Sequence, residues 1–234
     1  MPQALLLKLE IFLGVSLLLS CFAWGKRILF PFQLFTTWVH ECWHAGVALL
    51  LGGSHVTITL APDGSGLTRF KIPKGRVRQS LVASAGYLGA SVTGCLLFYL
   101  SSEMQNQVFH FSAHRILLAL VCLIIFSLVF WIRNAFGIVS VSLMAASLGL
   151  LVYSPWRAYS KDVLIFLAVQ TALNGLFDLK QLYSIKGGSD AHTLKKYFYL
   201  PAWFWASLWL GLSIGLMAFT VRAQTATQKV FLNH

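Results

Sequence analysis

Seven predominantly apolar stretches run almost end to end through this chain, at 4–24, 28–51, 80–101, 115–132, 135–153, 162–182 and 200–221. Wound as α-helices, stretches of about twenty residues match the thickness of a bilayer's hydrocarbon core. Lipid offers no hydrogen-bond partners, so each backbone group must be satisfied within its own helix. The expected fold class is an all-α polytopic membrane protein of about seven transmembrane helices. Composition agrees, with 57% of the 234 residues hydrophobic and 11% charged, against about a quarter charged in soluble domains. No polar segment is long enough for a second core, so residues 1–234 read as a single membrane-embedded domain. The N-terminus reads as a retained first span: Lys8 and Glu10 make a poor signal-peptide start, and no small-residue cleavage site follows.

The formal net charge of +11 does not point to nucleic acid. The basic residues lie in short loops between apolar spans, and no recognition helix or aromatic-basic platform accompanies them. Such loops fix orientation, with Lys and Arg favouring the cytoplasmic side. In a seven-span arrangement the larger share of the 18 Lys and Arg, including Arg69, Lys71, Lys74, Arg76 and Arg78, falls on the side of the N-terminus. The N-terminus and the loop at 52–79 are therefore expected in the cytoplasm. Within that loop Val56, Ile58 and Leu60 alternate with polar residues. Pro62-Asp63-Gly64-Ser65-Gly66 then supplies turn chemistry, and Leu67, Phe70 and Ile72 follow. The pattern predicts a short β-hairpin between the second and third helices. Cys21, Cys42, Cys95 and Cys122 all lie in apolar stretches without a C-x-x-C pair, and read as packing residues.

One span carries what lipid tolerates least. His40-Glu41-Cys42-Trp43-His44 matches H-E-x-x-H. On a helix, residues four apart share a face, so both imidazoles can reach one metal ion. Glu41 lies beside that face, where a carboxylate can take a proton from water. Ionisable residues at mid-span are costly and usually functional. The alternative is a polar cluster that hydrogen-bonds across helices.

A catalytic zinc usually has three protein ligands and one open position. His55, His110, His114 and His192 fall in loops or at span ends, as do Glu10 and Asp162. Asp178 is the carboxylate left inside an apolar span. In a seven-span chain the second and sixth spans run in the same direction, so Asp178 can meet His40 and His44 at similar depth. Asn174, one turn earlier, shares the face of Asp178 and can orient that ligand or bind a substrate backbone. The other reading of Asp178 is an interfacial residue paired with Lys180 or water. Gly86, Gly89, Ala90 and Gly94 read as a close helix-packing face, and Trp203, Trp205 and Trp209 as interfacial anchors.

HECWH in an apolar span, followed by Gly52-Gly53 and a short hairpin, resembles the site-2 protease family of intramembrane zinc metallopeptidases. SAGYLGASVTG in the third span is similar to the small-residue segment of that family's core. NGLFD in the sixth resembles the motif that supplies its aspartate ligand, although the family motif reads Leu-Asp-Gly and this chain has Phe177-Asp178-Leu179. SDAHTLKKYFYLPAWFWASLW resembles the compact branch that lacks a PDZ domain. The resemblance implies one Zn2+ held by His40, His44 and Asp178, Glu41 as general base, and Asn174 near the substrate. It implies hydrolysis of peptide bonds in membrane-protein or peptide substrates, within or near the bilayer, with a bacterial plasma membrane as the default location. Two other readings stay open: a metal or solute transporter using the same residues, and a non-proteolytic membrane scaffold derived from a protease.

Overall fold

The computed structural model describes residues 3–101, 112–182 and 190–232, with side chains over 5–101, 112–177 and 190–223. The chain runs α1 (Gln3–Ser20), α2 (Ala23–Leu50), β1 (Ser54–Leu60), β2 (Gly66–Lys71), α3 (Arg76–Leu100), α4 (Ala113–Phe130) and α5 (Ala135–Tyr153). A 3-10 turn (Pro155–Tyr159) then leads to α6 (Ser160–Leu182), α7 (Asp190–Phe198) and α8 (Ala202–Leu232). The expected hairpin is present as an antiparallel pair in the order β1-β2.

Among the described residues, four helical segments are long and apolar enough to cross a membrane: α3, α4, α5 and the Ala202–Ala223 part of α8. A multi-pass membrane protein fits this pattern, but the expected count of seven spans is not reproduced. Helices α1, α2 and α6 do occupy the other three expected stretches. However, α2 contains Lys26, Arg27, Pro31 and Glu41, and α6 contains Lys161, Asp162, Gln170 and Asn174.

Packing bears on the count as well. Lys8 pairs with Asp162, Phe12 meets Phe166 edge-on at 5.4 Å, and Gln170 Nε2 donates to Ser16 Oγ at 2.6 Å. Each contact steps four residues along both helices in the same sense, so α1 and α6 run parallel. In a strict alternation of seven spans the first and sixth cross in opposite directions. At least one helix from α1 to α6 is therefore not a full crossing, and the orientation read from the Lys and Arg bias loses the alternation on which it rested.

The hairpin lies against the helices. Val56, Ile58 and Leu60 alternate into the core as expected, with Ile58 and Leu60 almost fully buried. On the return strand the inward face is Gly66, Thr68 and Phe70, while Leu67, Arg69 and Lys71 point out. Strand β1 is paired on both edges. Beyond β2, Ile58 N–H donates to Trp131 O at 2.8 Å, and Arg133 N–H donates to Ile58 O at 3.1 Å. Asn134 completes this edge: its Oδ1 accepts from Leu60 N at 3.1 Å and its Nδ2 donates to Leu60 O at 2.7 Å. The break between α4 and α5, seen in sequence only as Arg133-Asn134, thus serves as a docking edge for the hairpin. Thr37 Oγ1 donates to Gly64 O at 2.8 Å, laying the turn along α2.

The main core joins Phe35, Trp38 and Val39 of α2 to Ile58 and Leu60, Leu117 and Ile124 of α4, and Leu164 and Ile165 of α6. Inside it Trp38 Nε1 donates to Ser127 Oγ at 2.8 Å, which satisfies both buried polar groups. A second cluster of Ala83, Ala191, Leu194, Ala206 and Trp209 seats α7 between α3 and α8. Trp209 is therefore buried and stacks on Tyr87, instead of anchoring an interface. The four cysteines are free thiols.

Candidate metal centre

Helix α2 presents His40 and His44 on one face, as their spacing requires, and α3 packs antiparallel across that face. His44 Nδ1–H donates to Val82 O at 2.6 Å. That bond fixes the tautomer and leaves the Nε2 lone pair pointing into the site. Tyr87 sets its ring edge-on to His40, with centroids 4.6 Å apart. The two Nε2 atoms then lie 2.9 Å apart.

The third group comes from α7. Asp190 Oδ2 lies 3.2 Å from His44 Nε2 and 3.5 Å from His40 Nε2. Among the described residues, His40, His44 and Asp190 are the group of potential ligands close enough together to hold a metal ion. Burial alone would raise the Asp190 carboxyl. Hydrogen bonds and charge from His40 and His44 outweigh burial and hold it well below the usual carboxylate range.

These three atoms fit zinc. A tetrahedral ion with bonds of about 2.0–2.1 Å places its ligand atoms about 3.3 Å apart, and the observed separations of 2.9, 3.2 and 3.5 Å bracket that value. Two imidazole nitrogens and one carboxylate oxygen are also a borderline donor set, unlike the all-oxygen cages of calcium or magnesium. The wall behind them is Gly86. A Cβ there would lie 2.5 Å from His44 Nε2 and closer still to His40 Nε2. The small-residue face of α3 thus performs two tasks, since Gly89 seats the Trp43 ring while Gly86 leaves room at the ligand atoms. Gly86→Ala is expected to cost about 1–3 kcal/mol through overpacking and to push the two Nε2 atoms out of the spacing a metal ion needs. A thermal melt in detergent beside metal analysis would show both effects.

Glu41 is buried next to the histidines, 6% exposed. Thr68 Oγ1 donates to its Oε2 at 2.6 Å. Asn174 of α6 reaches α2 one turn before His40, its Nδ2 donating to Thr36 Oγ1 at 3.4 Å. Asp178 lies on α6 one turn beyond Asn174, but its side chain is outside the described residues. The structure therefore brings together His40, His44 and Asp190, and sets Glu41 beside them.

Asp190 escapes a search confined to carboxylates within apolar spans. It opens the short amphipathic helix DAHTLKKYF, whose first turn is a favoured place for an acidic residue. The available signal was Ala191 and Leu194 at helical spacing, which seat α7 in the second cluster and carry Asp190 to the histidines.

A family model described as Peptidase M50B-like matches residues 12–220. No curated protein matches the chain, and no solved structure does.

Proposed function

Because the chain belongs to the Peptidase M50B-like family of membrane metallopeptidases, we propose that it is a zinc-dependent protease cleaving membrane-protein substrates within or near the bilayer. The observation that carries this reading is the convergence of two imidazole Nε2 atoms and one carboxylate oxygen beside a buried glutamate. His40, His44 and Asp190 would hold the ion, leaving a fourth position open as catalytic sites require. Bound there, zinc would supply a Lewis acid able to acidify water toward a pKa of about 7 and to polarise a carbonyl.

The remaining steps belong to the chain. Glu41 takes the proton of the attacking water and delivers it to the leaving amine, so one carboxylate serves first as base and then as acid. His44 keeps its Nε2 available because Val82 O holds the proton on Nδ1. Asn174, whose Nδ2 donates to Thr36 Oγ1 one turn before His40 on α2, would contact the substrate backbone.

A helical substrate hides its carbonyls in its own hydrogen bonds and must unwind before cleavage. The hairpin offers it a strand edge. Ile58 and Leu60 direct their backbone groups away from β2, toward residues 131–134. Their partners across the ladder, Thr68 and Gly66, are therefore non-hydrogen-bonded pairs, whose own N–H and C=O point to the far side of β2. An unwound segment can add there as a further strand and pass alongside Glu41.

Zinc analysis of the purified chain, read beside cleavage of a membrane-peptide reporter, tests the proposal. Wild-type protein is expected to hold zinc and cleave, and His40→Ala to lose both. A wild-type chain without zinc would remove the basis of this reading.

A further inference from the structure

We propose that Thr68 is a positioning residue for Glu41, and that the hairpin thereby forms part of the proton-transfer apparatus as well as a substrate edge. This rests on the reading of Glu41 as the group that moves the proton. Glu41 reaches its place through three rotatable side-chain bonds, and α2 alone does not select one rotamer. Two features of β2 do. Thr68 Oγ1 is 2.6 Å from Glu41 Oε2 and 3.1 Å from the Glu41 carbonyl oxygen. The hydroxyl has one hydrogen for these two acceptors, and the shorter contact assigns it to the carboxylate.

Gly66 walls the other oxygen, since a Cβ there would lie 2.6 Å from Glu41 Cγ and 2.7 Å from Oε1. Strand alternation places residues 66 and 68 on one face, so a single strand supplies both the donor and the wall. The strand is itself held, because its partner β1 is bound on the far edge by Ile58 and Leu60. A base fixed in this way keeps its proton-accepting oxygen in reach of the reacting water, and a displacement of about 1 Å can cost about 100-fold in rate.

Two substitutions separate positioning from packing. Thr68→Val keeps the shape and removes the hydroxyl, whereas Thr68→Ser keeps the hydroxyl and removes the methyl group. Thr68→Val is expected to lower kcat by about 10- to 100-fold, with KM and zinc content unchanged, and Thr68→Ser to stay close to wild type. A readout independent of turnover is the infrared carboxyl band of zinc-free protein labelled with 13C-glutamate, identified as the band that Glu41→Gln removes. That band is expected to shift in Thr68→Val and not in Thr68→Ser. Full kcat in Thr68→Val, equal losses in the two variants, or an unmoved band would overturn the proposal. If the wild-type chain cleaves nothing, the protease reading falls, and the infrared band decides the role of Thr68 by itself.

Discussion

Glu41→Gln is expected to lower kcat for peptide hydrolysis by about 10²–10⁴-fold, the range a positioned acid–base group contributes, while the protein keeps its full complement of zinc. Glutamine has the shape of glutamate and can still accept the Thr68 hydroxyl bond, so the fold around the site should not change. What it lacks is the capacity to take a proton from water. The ligand cluster consists of His40, His44 and Asp190 and does not include Glu41, which is why metal content should survive. Undiminished turnover in this variant would show that another group moves the proton. Zinc loss would show that Glu41 is itself a ligand.

Asp190→Ala is expected to weaken zinc binding by more than the roughly 10- to 100-fold typical of losing an outer-shell partner, and to abolish cleavage with it. The parallel variant Asp178→Ala should retain zinc. The comparison is sharp because a catalytic zinc keeps one position open for water, so only one of the two aspartates can serve beside the two histidines. Asp190 Oδ2 already lies within 3.5 Å of both Nε2 atoms. Its carboxylate form is favoured by the same imidazoles, so a cation replacing protons there meets a ligand already ionised. Isothermal titration of zinc into the two stripped variants gives the answer directly. Zinc retained in Asp190→Ala and lost in Asp178→Ala would assign the third ligand to α6.

The strand pattern of β1 was legible because alternation at Val56, Ile58 and Leu60 reports a half-buried strand whatever it packs against. The face of β2 was not, since Leu67 is apolar yet 49% exposed, while the inward positions hold Gly66 and Thr68. Hydrophobicity marks burial, but the half-buried face of β2 meets Glu41 through Gly66 and Thr68. Gly86 shows the same limit. Small residues at helical spacing announce close packing, and only the position of α2 reveals that one of them faces the Nε2 atoms of His40 and His44. The seven apolar stretches are helical, and among the described residues four are long and apolar enough to cross a membrane; their directions were not legible, because apolarity carries no sign along the chain. The ladder of Lys8–Asp162, Phe12–Phe166 and Ser16–Gln170 supplies that sign.

By itself the sequence determined a helical membrane protein with a hairpin, and it placed two histidines on one face of α2 with a glutamate next to them. These are local properties, set by period, by length and by the cost of a charge in lipid, and none needs a distant partner. Tertiary structure alone brings Asp190 to the histidines, sets Thr68 against Glu41 and docks β1 on residues 131–134. Each of those depends on contacts between segments tens of residues apart. Asp190 reaches the site because α7 is seated by Ala191 and Leu194 between α3 and α8. Thr68 reaches Glu41 because Asn134 and Trp131 dock β1 at the break between two helices.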